Sequence, residues 1–137
     1  MPLAQTESGK SSGEVVLVID DDQAVRGSLK FSLEIEGFDV RIYGSADEIL
    51  KAEDIPTRGC LIIDYYLPGV NGLDLLHQLN ARHVHLPAIL ITTQPTANVR
   101  RRASSAGVAI IEKPFLNNAL SDAVRESFSR SVQGPPP

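Results

Sequence analysis

Apolar residues along the chain gather in short continuous runs, each closed by polar residues and most followed by a helical pattern. The clearest runs are Val15-Val16-Leu17-Val18-Ile19, Leu61-Ile62-Ile63, Pro87-Ala88-Ile89-Leu90-Ile91 and residues 108–111. Runs of this length, rich in β-branched residues, fit strands buried on both faces of a parallel sheet. A further stretch, Phe38-Asp39-Val40-Arg41-Ile42, alternates apolar and polar residues and reads as a half-buried edge strand. Between the strands, Val25, Leu29 and Leu33 mark a helix over about 23–36 that Gly37 stops. Ser45-Ala46-Asp47-Glu48 is a capping box opening a short helix. Asn71 caps a third helix running to about residue 82, buried through Leu73, Leu76 and Leu79. A weakly amphipathic helix covers about 96–106 and ends at Gly107. The last helix, about 116–129, carries Leu120, Ala123, Val124, Ser127 and Phe128 on one stripe. Five strand–helix units with short connections imply an α/β fold, a parallel sheet covered by helices on both faces with right-handed crossovers.

In a parallel sheet all strands end along one edge, and ligands of open α/β folds bind there. Four of the strands deliver chemistry to that edge: Asp20 and Asp21, Asp64, Thr92, and Lys113. One polar residue after a strand is ordinarily a cap or turn residue, but here the four sets complement one another. Three carboxylates in one cleft repel, and a hard divalent cation with oxygen ligands relieves that repulsion. Mg²⁺ suits such a site because it shares a few carboxylates with water and phosphate oxygens. With Mg²⁺ and the Lys113 ammonium the cleft is near neutral, so a phosphoryl group can approach Asp64, a competent carboxylate nucleophile. The Thr92 hydroxyl is placed to donate to a phosphoryl oxygen and so to sense one. Asp22, next to the acidic pair, is expected to cap the first helix.

Composition narrows the classes further. At 137 residues, with 42% hydrophobic and 22% charged residues, the chain fits one globular domain. A net charge of −4 supplies no basic footprint for nucleic acid, and no apolar run approaches a membrane span. A single cysteine, Cys60, excludes an internal disulfide, fits a reducing compartment, and points to a cytoplasmic protein with an inert packed thiol. Residues 1–13 are polar and Ser/Gly-rich and read as a disordered arm. The folded domain is expected over 14–131, with a flexible Pro-rich tail over 132–137. The arm's Gly9-Lys10-Ser11 lacks the strand and second glycine of a phosphate-binding loop. Arg100-Arg101-Arg102 reads as a solvated helix face, and His77, His83 and His85 lack metal-ligand spacing.

The segments VLVIDDDQAVR (16–26), LIIDYYLPGVNG (61–72), LITTQ (90–94) and EKPF (112–115) together resemble the receiver domain of two-component response regulators. The likeness covers about 14–130 and is strongest to receivers of the nitrogen-fixation-regulator type. It implies a flavodoxin-like (βα)5 fold, a doubly wound parallel sheet of strand order 2-1-3-4-5. Position by position, it makes Asp64 the phosphoacceptor, and Asp20 and Asp21 the metal-binding acids, joined by the main-chain carbonyl of Tyr66. It makes Thr92 the switch hydroxyl and Lys113 the phosphate-binding lysine, followed by a cis bond to Pro114. The implied partner is a sensor histidine kinase or phosphotransfer protein, with a homodimer on phosphorylation and output through the helix 4–strand 5–helix 5 face. The protein is then a signalling phosphoacceptor rather than an enzyme acting on other molecules.

Three positions depart from the family pattern. Ile110 stands where an aromatic switch residue is common, and the segment from Gly107 to Lys113 is one residue shorter than usual. Tyr66 and Thr93 replace smaller residues beside the acyl phosphate and are expected to modulate its lifetime. Two other functions fit part of the pattern. A degenerate receiver would act as a phosphorylation-independent binding module, and a haloacid-dehalogenase-type phosphatase would use Asp20 of Asp20-Asp21-Asp22 as its nucleophile.

Overall fold

The computed structural model describes residues 14–115 and 118–133, with side chains as far as residue 129. The expected arm over 1–13, Leu116 at the expected start of the last helix, and residues 134–137 lie outside the described residues.

Five strands form one parallel sheet: β1 (Val15–Ile19), β2 (Asp39–Tyr43), β3 (Cys60–Asp64), β4 (Ala88–Thr92) and β5 (Ala109–Glu112), in the order β2-β1-β3-β4-β5. This is the flavodoxin-like order expected from the resemblance. Five helices follow: α1 (Gln23–Ile35), α2 (Ala46–Lys51), α3 (Gly72–Ala81), α4 (Ala97–Ala106) and α5 (Ala119–Gln133). Successive strand residues face opposite sides, so the sheet carries a core on each face. Leu17, Ile19, Leu61, Ile63 and Leu90 pack with α2, α3 and α4, and Val16, Val18, Ile62, Ile89 and Ile91 pack with α1 and α5. All of β1 and β3 is buried, which accounts for their unbroken apolar runs.

The helix ends follow the residues that start and stop them. Asp22 accepts from the amides of Ala24 and Val25 at 2.9 and 3.3 Å. Ser45, Asn71 and Thr96 each accept from the amide three residues on. Glu48 returns to the amide of Gly44 rather than Ser45, so the capping box is shifted by one residue. Gly107 closes α4 in the left-handed conformation at φ 73°.

Four features differ from the sequence reading. Residues 66–71, expected as a loop, form a small antiparallel hairpin of Tyr66–Leu67 with Val70–Asn71, turned by Pro68-Gly69 with Gly69 at φ 84°. The helix α5 continues to Gln133, past the end near residue 129 expected for it. No helix breaker occurs before Gly134, so the backbone has no local reason to stop sooner. Ile42, on the buried phase of the edge strand, is 39% exposed because, among the described residues, no strand lies beyond β2. Finally, α1 carries a second stripe of small and apolar residues on its outer side. Ala24, Ser28, Phe31 and Ile35 follow a 4-3-4 spacing, and Phe31 and Ile35 are 68% and 67% exposed.

The residue that sets how closely α3 approaches the sheet is Gly72. A Cβ there would stand 2.7 Å from the Asp64 carbonyl oxygen and 2.9 Å from Leu90 Cδ1, both in the core. Gly72→Ala is therefore expected to lower the unfolding free energy by about 2 kcal/mol through overpacking. A urea titration giving an unchanged midpoint would contradict this packing.

Candidate functional site

Three adjacent strand ends and the turn after β1 bring the candidate residues together. In the sheet register Ile19 lies beside Ile63, Asp64 beside Ile91, and Thr92 beside Glu112. Asp20, Asp64, Thr92 and Lys113 therefore sit within one residue of the same level along the carboxyl edge. Asp20 is fully buried, Asp64 and Thr92 nearly so, and Asp21 is exposed. One carboxylate oxygen from each of Asp20, Asp21 and Asp64 can be chosen so that all lie within 4.8 Å of one another.

The two buried carboxylates are satisfied in the same way. Asp20 Oδ1 accepts from the Asp22 amide at 2.9 Å, and Asp64 Oδ1 accepts from the Tyr66 amide at 3.1 Å. The second oxygens face a shared cation, Lys113 Nζ, at 3.4 Å from Asp20 Oδ2 and 3.2 Å from Asp64 Oδ2. The Lys113 amide is itself held by the Thr92 carbonyl at 2.8 Å, and the Lys113–Pro114 bond is cis, as the resemblance implied. Burial pushes the Asp64 carboxyl above its ordinary 3.8, and the Asp20 charge adds to this against the Tyr66 amide and Lys113. Burial alone would lower the Lys113 ammonium, but the Asp64 and Asp20 carboxylates outweigh it and hold Lys113 above 10.5.

The donor set fits a hard cation: three carboxylates converge while one ammonium reaches only the two buried ones. Asp21, exposed beside them, is open to an ion approaching from solvent. Among the described residues this is the one group of three or more His, Cys, Asp or Glu residues close enough to hold a metal. The hydroxyl of Thr92 is buried and has no hydrogen-bond partner. A buried polar atom left in that state is costly, so the site has a donor to spare.

The remaining sequence candidates are placed as follows. Tyr66 is 56% exposed, and its ring packs edge-on against Tyr65, with centroids 4.9 Å apart. Thr93 is exposed beyond the strand. Ile110 pairs with Leu90 in register and packs against the core beneath α2, α3 and α4. Cys60 is buried, and desolvation pushes its thiol up to about 11, so it is unreactive. The arginine run is less free than expected from a solvated face. Arg100 pairs with Glu112 at 2.7 Å and Arg102 with Asp74 at 2.9 Å. One residue was missed in the sequence: Arg26, whose Nη1 donates to the main-chain oxygen of Asp20 at 2.8 Å. Its signal was slight, an arginine on the sheet-facing side of α1 one turn beyond the acidic triplet.

The charge balance fixes a pH dependence. Because the folded-state pKa of Asp64 is raised, its ionised form costs stability above that pKa, and the cost vanishes below its unfolded value. In chelator at pH 7, Asp64→Asn is expected to be more stable by about 1 kcal/mol, roughly 4 °C in Tm, with Lys113 still paired to Asp20. That advantage fades as pH falls through the folded pKa of Asp64 towards about 4. Thermal melts showing the variant less stable at pH 7 would contradict the assignment.

Comparison with known proteins agrees with this geometry. The family profile described as response regulator receiver domain matches residues 16–125. The transcriptional regulatory protein FixJ of Azorhizobium caulinodans is 43% identical over 119 residues, covering 86% of this chain and 56% of its own length. Nodulation protein W of Bradyrhizobium diazoefficiens is 36% identical over 88% of this chain and 53% of its own. The chain thus spans a little over half the length of these relatives. Among solved structures, the FixJ-N crystal structure superposes with a TM-score of 0.76 at 32% identity, over 85% of this chain and 94% of that one. A CheY-like receiver domain protein from Methanospirillum hungatei gives 0.79 at 26% identity, over 89% and 98%. Sequence, fold and site lead to the same family, and the chain belongs to the response regulator receiver domains.

Proposed function

We propose that Asp64 accepts a phosphoryl group from the phosphohistidine of a sensor kinase or phosphotransfer protein, and that the domain passes this state on as a conformational signal. The observation that carries the reading is the buried Thr92 hydroxyl without a partner, one residue past the register neighbour of Asp64. Beside it stands an ammonium shared by two buried carboxylates. A phosphoryl group on Asp64 supplies the acceptors that both donors can use.

In this reading a carboxylate oxygen of Asp64 attacks phosphorus, the phosphorus–nitrogen bond of the donor breaks, and the leaving imidazole takes a proton from solvent. The product is a mixed anhydride that water later cleaves to carboxylate and inorganic phosphate. Asp20, Asp21, Asp64 and the Tyr66 carbonyl would hold Mg²⁺, whose chemistry when bound is to offset charge between the carboxylates and the phosphoryl oxygens. Lys113 stabilises negative charge on the transferring oxygens, and Thr92 donates to one of them. Tyr66, with its amide on the Asp64 carboxylate and its ring at the surface, limits the access of water. Thr93, exposed next to Thr92, modulates the same step.

Output is assigned to α4, β5 and α5. The Arg100–Glu112 ion pair ties α4 to the residue preceding Lys113, and Ile110 fills the aromatic's position on the same strand. Repacking there, with a homodimer as one outcome, would relay the phosphorylated state. The outer stripe of α1, spaced like the seam of a helix pair and starting two residues after Asp22, supports docking of a helical kinase or phosphotransfer partner. The protein is placed in the cytoplasm, in keeping with its one cysteine. Among the described residues no helix is long and apolar enough to cross a membrane.

Incubation with acetyl phosphate and Mg²⁺ followed by intact-mass measurement is expected to show one added phosphoryl group, absent in Asp64→Asn. No mass gain would favour a phosphorylation-independent binding module, and a gain lost only in Asp20→Asn would favour the phosphatase reading. Tyr66→Asn is expected to speed dephosphorylation by roughly fivefold, about 1 kcal/mol of barrier. An unchanged rate would remove the shielding role.

A further inference from the structure

Asp21 presents a difficulty for any site it shares with Asp20 and Asp64. Its side chain is exposed and, among the described residues, takes part in no hydrogen bond or ion pair of the kind that fixes Asp20 and Asp64, yet its carboxylate belongs to the converging set. Its position is therefore set by the backbone beneath it, above all by the peptide plane that joins Asp20 to Asp21. The carbonyl of that peptide is the group Arg26 Nη1 holds at 2.8 Å. At the other end of the same residue, the Asp20 amide donates to the Tyr43 carbonyl at 3.2 Å. The Asp20 carboxylate in turn accepts the Asp22 amide at 2.9 Å.

The guanidinium is itself confined. Gly44, just past the end of β2, leaves the room it occupies: a Cβ there would lie 3.2 Å from Arg26 Nη1 and 3.2 Å from Glu48 Oε1. Glu48 is fixed in turn by the Gly44 amide. Arg26 thus ties α1 to the acidic turn beside Gly44, and its planar fork fits a carbonyl in a narrow space in a way that an ammonium on a flexible stem does not.

We infer that Arg26 is a positioning residue for cation binding: by clamping the Asp20 carbonyl it holds the peptide from which Asp21 reaches the site. This rests on the reading of Asp20, Asp21 and Asp64 as a Mg²⁺ site. Two effects of removing Arg26 have opposite signs. Loss of a positive charge close to three carboxylates would by itself tighten cation binding. Loss of the clamp lets the Asp20–Asp21 peptide rotate and weakens it. A residue outside the ligand set that orients ligands typically changes metal affinity by 10-fold or more, so the second effect is the larger.

The test is isothermal titration calorimetry of the whole chain with MgCl₂, well below each variant's Tm, for wild type, Arg26→Gln, Arg26→Lys and Gly44→Ala. Arg26→Gln is expected to raise the Mg²⁺ Kd about tenfold. Arg26→Lys keeps the charge and restores part of the affinity. Gly44→Ala keeps the charge too, but its Cβ crowds the guanidinium, and it is expected to weaken binding in the same direction. Circular dichroism at the titration temperature shows that each variant is folded, and should Arg26→Gln not fold, Arg26→Lys and Gly44→Ala carry the test. A Kd for Arg26→Gln or Gly44→Ala equal to or below wild type overturns the positioning role. Absence of Mg²⁺ binding by wild type overturns the cation-site reading, and the inference with it.

Discussion

One ammonium stands between two buried carboxylates at the end of the sheet, and much of the domain's architecture follows from that contact. Lys113 Nζ lies 3.2 Å from Asp64 and 3.4 Å from Asp20, while the two acids are 5% and 0% exposed. Breaking such an arrangement by removing a cation leaves buried charge without compensation, which is far more costly than loss of a surface pair. The compensation here is incomplete, since the Asp64 carboxyl is still held above its ordinary range. The site therefore keeps negative charge that a further cation can relieve.

The sheet order makes this contact possible. With β1, β3, β4 and β5 adjacent and parallel, residues 20, 64, 92 and 113 are brought to one edge, the first three by strands largely buried on both faces and Lys113 by the half-exposed edge strand β5. The same order puts Glu112 on the strand that carries Lys113, and Glu112 reaches α4 through Arg100. Chemistry at the strand ends and packing at a helix face are joined by residues adjacent in sequence. A change at Lys113 has little backbone between it and α4, which is the physical basis for the proposal that output leaves on that side of the domain.

Most of the fold and the heart of the site were legible because they depend on local patterns. Val15 to Ile19 and Leu61 to Ile63 are unbroken apolar runs because both sheet faces are covered, and each announces the acid that follows. Asp22, Ser45, Asn71 and Thr96 mark helix starts through their own side chains. What escaped notice depends on groups that sequence patterns do not display. Arg26 bonds a main-chain carbonyl, and any residue supplies one, so nothing in the sequence marks Asp20 as its partner. Arg100 and Arg102 pair with acids 12 and 28 residues away, across elements whose juxtaposition is tertiary. The inward stripe of α1, Val25, Leu29 and Leu33, drew attention from the outer one, because Phe31 and Ile35 also read as helical apolar residues and only their exposure separates them.

The central claim is that the donors Thr92 and Lys113 are kept for a phosphoryl group on Asp64. A crystal structure with Mg²⁺ and beryllofluoride, a stable mimic of the phosphoryl group, tests it most directly. The account predicts beryllium bonded to an Asp64 carboxylate oxygen, with Thr92 Oγ1 and Lys113 Nζ each within hydrogen-bond distance of a fluorine. Beryllofluoride on Asp20, or on Asp64 with the Thr92 hydroxyl still without a partner, would contradict it.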